Sequence, residues 1–224
     1  MPQLLHLDPS DQVASGVQRV VFLHPHDDTK LIKVLKQARD MPVRTNFNGV
    51  MDRLMPSTRI RQVRKEYQEY LRIMLRNMAP DFDPPISHMF GFVRTNLGLG
   101  CLTERVMNAD GSLGTTVGRK AKTDALTPDD LALLNDAIDR LFRYHIRASD
   151  LNPKNLVFGH RNNGSGPGPR ECVLVDGFGD IHAIPVRSMG KWSNMVGLND
   201  SCKRLAKNTG LHWDPAARLF SAER

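Results

Sequence analysis

The feature that most constrains this chain is a pair of short apolar runs set between acidic residues. Asn155-Leu-Val-Phe and Cys172-Val-Leu-Val are β-rich. Between them lies Gly159-His-Arg-Asn-Asn-Gly-Ser-Gly-Pro-Gly-Pro169, which contains no apolar side chain to pack. The pattern predicts an antiparallel hairpin, with a flexible loop over 159–169 and a return strand over Glu171–Val175. Pairing the two runs places Asp150 and Asn155, which precede the first, at the same end of the ribbon as Asp176, which follows the second. Asp150 stands five positions before Asn155, with Pro153 between them. A base, an amide and a second acid on two loops is what phosphoryl transfer from a Mg-nucleotide needs. That reaction asks for metal-bridged phosphates and a placed carboxylate, and for little covalent chemistry from the protein.

A chain of 224 residues, 40% of them hydrophobic, can bury a real core, as one domain or as one domain with two lobes. Its 31 basic and 24 acidic residues give a net charge of +7. That excess suits an anionic partner such as a nucleotide or a phosphosubstrate. Nucleic acid is not the expected partner, because the basic residues are dispersed and aromatics make up only 6%. Cys101, Cys172 and Cys202 are widely spaced and form no CxxC pair, which argues against a zinc knuckle or a disulfide framework. No apolar stretch approaches the ~18–20 residues that cross a bilayer, and no signal peptide is evident. The expectation is a cytoplasmic protein without a membrane partner.

Val17–Leu23 and Leu31–Lys36 flank the turn formers His24–Asp28 and predict a hairpin. In its second strand Lys33 lies among apolar neighbours while Lys36 can point away. Lys33 falls where a nucleotide-anchoring lysine would sit on a strand leaving a hairpin. Gly16, just before the first strand, could let backbone approach a phosphate. Residues 37–60 read as a polar loop. Arg59, Arg61, Arg64 and Lys65 read as a solvated face or a phosphate-binding patch.

A helix is expected from about Thr58 to Asn77, with Val63, Tyr67, Tyr70, Leu71, Met74 and Met78 as its apolar stripe. Glu66 lies at the border of that stripe and Glu69 almost opposite it, so Glu66 is the candidate inward partner of Lys33. The alternative leaves both glutamates facing solvent beside nearby arginines. His88–Val93 and Gly100–Met107 read as strands around a turn, and Asn108–Gly114 as a turn-rich junction between two lobes. Thr127-Pro-Asp-Asp opens a helix whose apolar face runs through Leu131, Leu134, Ile138, Leu141 and Phe142 to His145, read as a core histidine. Met189–Asn208 is an expected helix. His212–Pro215 breaks it, and Ala216–Glu223 is expected to form a short final helix.

The Asp150-Leu-Asn-Pro-Lys-Asn155 loop, Asp176-Gly-Phe-Gly179 and the strand around Lys33 together resemble the protein-kinase-like superfamily. With Gly-Cys-Leu-Thr-Glu104-Arg-Val and Asn108-Ala-Asp-Gly-Ser-Leu-Gly114, they look most like the YrbL family, bacterial proteins named for the PhoP regulatory network. The resemblance spans roughly residues 12–205. It implies an α+β, bilobal kinase-like fold, with a β-rich N-lobe over 1–107 and a small, mostly helical C-lobe over 108–224. It also implies ATP and Mg²⁺ as cofactors. Lys33 would hold the α/β-phosphates and Glu66 would orient Lys33. Asp150 would accept the substrate hydroxyl proton, and Asn155 and Asp176 would hold the metal. Gly16 and Glu104 would join the nucleotide site.

The departures from the family pattern are specific. Ser149 stands where regulated kinases carry arginine, an extra glycine makes Asp-Gly-Phe-Gly, and Gly16 is the one clear glycine of the phosphate loop. The expected activity is phosphotransfer to an unknown acceptor, a small molecule or a protein. The alternative is a pseudokinase acting as a nucleotide-binding regulatory module.

Overall fold

The computed structural model describes residues 4–16, 18–36, 56–80, 82–123, 126–162, 166–180 and 190–222, without the side chains of 56–60. The expected loop over 37–60 lies outside these residues as far as 55; from Pro56 the chain is helical. The tract from 181 to 189 also lies outside them. The described residues cluster into two compact units, one within Met1–Gln62 and His88–Arg105, the other within Val63–Ser87 and Val106–Arg224.

The first unit is a five-stranded antiparallel sheet. Its strands are β1 (Gln12–Ser15), β2 (Arg19–Leu23), β3 (Lys30–Leu35), β4 (Met89–Thr95) and β5 (Gly98–Glu104), in the order β1-β2-β3-β5-β4. The period-two alternation of β3 buries Ile32 and Val34, which pack with Leu7 and Phe22. Lys33 takes the intervening position, opposite Val21 on one side and Cys101 on the other. Asp27 fixes the β2–β3 turn by accepting from Thr29 and from Lys30 Nζ at 2.7 Å. The Lys30 ammonium and the Thr29 hydroxyl hold its carboxyl at about 2.

The second unit carries α1 (Pro56–Arg76) from Val63 onward, then β6 (Thr115–Thr116), α2 (Val117–Thr123) and α3 (Pro128–Arg143). β7 (Leu156–Asn162), β8 (Pro167–Leu174), α4 (Lys191–Thr209), β9 (Leu211–Asp214) and β10 (Leu219–Ala222) complete it. Helix α3 buries Leu134, Ala137, Ile138, Leu141 and Phe142, as its periodicity requires. The Thr127 hydroxyl and the Asp130 carboxylate close a capping box at its start. Among the described residues no helix is long and apolar enough to cross a membrane.

The structure corrects the sequence reading in three places. The hairpin pairs as expected, Leu156 with Leu174 and Phe158 with Cys172, but it continues through the segment read as loop, as far as Asn162 opposite Pro167. Main-chain bonds extend it without apolar side chains. His160 and Met107 exchange backbone bonds of 3.0 and 2.6 Å. Buried Arg161 donates to Asp83 and to the carbonyls of Pro84 and Ile86.

Second, the buried side of α1 is not the apolar stripe. Glu66 and Glu69 are each 2% exposed and Ile73 is fully buried, whereas Leu71 is 45% and Met78 82% exposed. Third, the described residues from Leu211 form the hairpin β9–β10, where a helix from Ala216 was expected. Trp213 draws it onto α3, its ring centroid 6.3 Å from that of Phe142 and 4.7 Å from that of Phe220. The Asn135 side chain brackets the Phe220 backbone with bonds of 3.0 and 2.7 Å.

Candidate functional site

Helix α3 ends where His145 takes a left-handed backbone (φ 50°), which turns the chain into the loop 146–155. His145 is partly buried. Desolvation, then the positive charges of Lys191 and Arg72, hold its imidazole below the usual range. Its carbonyl accepts from the Arg72 guanidinium at 2.9 Å.

The loop is laced to the segment after β8. Asp150 N–H donates to the Gly177 carbonyl at 3.1 Å, Gly179 N–H to the Arg147 carbonyl at 2.6 Å, and Val175 N–H to the Asn155 carbonyl at 2.8 Å. The Ser149 hydroxyl, buried, adds a bond of 2.7 Å to the Gly179 carbonyl. Phe178 fills the space beneath at 2% exposure. Gly177 (φ 80°) could not be another residue here, because a Cβ would lie 2.5 Å from the Asp150 carbonyl and 3.0 Å from Asn155 Nδ2.

This lacing brings Asp150, Asn155 and Asp176 together. Asn155 Nδ2 reaches the Asp150 carbonyl at 3.3 Å and its Oδ2 at 3.4 Å. Asp176 Oδ1 accepts from the Gly177 N–H at 2.7 Å. Partial desolvation, and then the Asp176 charge, push the Asp150 carboxyl above its ordinary range. Two carboxylates and an amide that gather here carry hard oxygen donors. That set fits Mg²⁺, which would relieve the repulsion. Among the described residues no group of three His, Cys, Asp or Glu is placed to hold a metal, so carboxylates and an amide are what the site offers.

The remaining candidates have defined positions within their own units. Lys33 is partly buried in the centre of the sheet. Gly16 N–H donates to the Arg19 carbonyl at 2.8 Å in the β1–β2 turn. Glu104 is buried at the end of β5 and accepts from the His88 N–H at 2.9 Å. Glu66 is a buried carboxylate on α1 in the second unit.

Two positioning residues escape a sequence reading. Glu69 accepts from the Arg147 N–H at 2.7 Å and pairs with the Arg72 guanidinium, so it anchors the start of the loop to α1. Its signal was the arginine three positions on, not the apolar pattern. Ser149 is the other, and only the position of Gly179 reveals its bond.

A family model described as the PhoP regulatory network protein YrbL matches residues 5–210. No curated protein matches the chain. Among solved structures, the PpkA-294 apo form is 16% identical, over 86% of this chain and 60% of that one, with a TM-score of 0.46. The Rio2 kinase–ADP/Mg²⁺–phosphoaspartate complex from Chaetomium thermophilum is 12% identical, over 92% of this chain and 56% of that one, with a TM-score of 0.53. The chain therefore spans 60% and 56% of the lengths of these two. The likeness to Rio2 shows a kinase-like fold.

Proposed function

The chain belongs to the YrbL family of PhoP regulatory network proteins, its fold is kinase-like, and on that premise we propose that it is a phosphotransferase using Mg-ATP. The observation that carries this reading is the lacing of two loops that sets Asp150, Asn155 and Asp176 side by side. Mg-ATP supplies the phosphoryl group and the cation that neutralises charge developing on it. Asn155 and Asp176 are the groups that would hold the metal. Asp150 is assigned as the base from its place beside Asn155 on the loop laced to Asp176. The acceptor oxygen bonds to the γ-phosphorus as the bond to the β,γ-bridging oxygen breaks. The leaving diphosphate keeps that electron pair, and the hydroxyl proton goes to Asp150. As the family resemblance implies, Lys33 would hold the α/β-phosphates and Glu66 would orient it, with Gly16 and Glu104 assigned to the nucleotide.

The test is release or transfer of the γ-phosphate by wild type and by Asp150→Ala. Transfer falls at least about 10²-fold in the variant if Asp150 is the base, while nucleotide binding persists. Equal rates would overturn that role.

One observation favours a second reading, a nucleotide-binding module without transfer. The Gly16 N–H is already bonded to Arg19 across a tight β1–β2 turn, which is not an open phosphate cradle. Nucleotide binding without any turnover in wild type is the outcome that selects it.

A further inference from the structure

A cavity of about 530 Å³ opens on the second unit beside the loop that carries Asp150 and Asn155. Arg119 and Lys122 of α2 line one part of its wall, and Asn152 and Lys154 of the loop another. Among the described residues no carboxylate lines it. The next basic residue on the same helix, Lys120, is neutralised by Asp130 at 3.3 Å. Arg119, Lys122 and Lys154 make no such pair with a described residue.

Exposed cations are ordinarily just solvated. These three differ in being gathered around one concavity, with no counter-charge among the described residues of its wall, on two elements bonded to each other. Gly118 N–H donates to the Pro153 carbonyl at 2.8 Å, which fixes α2 to the loop. Lys154 N–H donates to Asn152 Oδ1 at 3.0 Å, which fixes the turn that presents the lysine. Like charges held together attract an anion, and charge-assisted bonds to phosphate or carboxylate are the strong ones. The volume lies within the roughly 300–1,000 Å³ that small ligands occupy.

We propose that this cavity holds the anionic group of the phosphate acceptor, so that the acceptor is a small hydroxy compound already carrying a phosphate or a carboxylate. This rests on the phosphotransferase reading above. Asp150 would receive the hydroxyl proton while Lys154, four residues along the same loop, holds the anionic end.

The test uses the full chain and backbone amide shifts. The probes are glucose 6-phosphate, glucose as its neutral counterpart, and poly-glutamate as an acidic peptide. A parallel melting measurement with Mg-ADP reads the nucleotide site. Glucose 6-phosphate is expected to shift the amides of 116–123 and 152–154 saturably, and glucose to leave them unmoved. In Arg119→Gln/Lys122→Gln the phosphate probe binds at least about tenfold more weakly, because two charge-assisted bonds are gone. Mg-ADP binding and the melting temperature stay as in wild type, since both side chains are exposed. Lys154→Gln gives the same loss from the other element.

No saturable shift, or a shift unchanged in these variants, would overturn the inference. So would binding of poly-glutamate alone. If Mg-ADP binds and the phosphate probe does not, this inference alone falls. If the phosphate probe binds and Mg-ADP does not, both the acceptor role and the phosphotransferase reading fall.

Discussion

The ionised form of Asp150 is disfavoured where it stands, by partial desolvation and then by the Asp176 charge. Its carboxyl in the folded chain titrates above 3.8, through desolvation and the nearby Asp176 charge. Folding therefore favours its protonated form, and its contribution to stability falls as pH rises from 3.8 through the raised value. Asp150→Asn should melt higher than wild type at pH 7, with the gain shrinking as pH falls through the raised value and gone by pH 3.8, while transfer is lost. A lower melting point at pH 7 would contradict the strained carboxylate pair. Ser149 works the other way, since its buried hydroxyl holds the Gly179 carbonyl at 2.7 Å. Ser149→Ala should cost about 1–2 kcal/mol in denaturant unfolding, as an unsatisfied buried acceptor does. The Asp150, Asn155 and Asp176 trio was legible in the sequence because one local hairpin brings it together. The Ser149 bond was not, because it depends on where a residue thirty positions away comes to rest.

At the scale of elements, α3 shows how a short motif sets stability. Asp130 is 1% exposed, caps the helix start, and pairs with Arg170 at 2.6 Å and Lys120 at 3.3 Å. Burial works against its ionisation, but Arg170, Thr127 and Lys120 overcome that and hold the carboxyl at about 2. Its stabilisation is therefore complete above 3.8 and is lost as pH falls toward about 2. Asp130→Ala should cost about 2–4 kcal/mol near neutral pH, from a lost cap and two stranded cations, and much less near pH 2. An equal loss at both pH values would count against the ion pairs. The Thr-Pro-Asp-Asp signal made this helix start readable. Helix α1 was misread because counting apolar residues hides a face buried through charge: Glu69 is inside because Arg72 and the Arg147 N–H are there to meet it. The terminal hairpin was misread because Ala216, Ala217 and Arg218 favour helix locally. Trp213 and Asn135 override that preference through contacts no local window contains.

For the whole molecule, family and fold are settled by a family match over residues 5–210 and a kinase-like likeness at a TM-score of 0.53. What the chain does with that fold is the proposal, and its net charge of +7 suits the anionic ligands the proposal requires. The most direct measurement is the melting of wild type and Asp176→Ala with and without Mg-ATP. Ligand at about 100 times its Kd should raise the wild-type melting point by about 5–10 °C. Asp176→Ala should lose most of that rise while keeping its own fold. No rise in wild type at millimolar Mg-ATP, or an equal rise in both proteins, would contradict a metal–nucleotide site at Asn155 and Asp176.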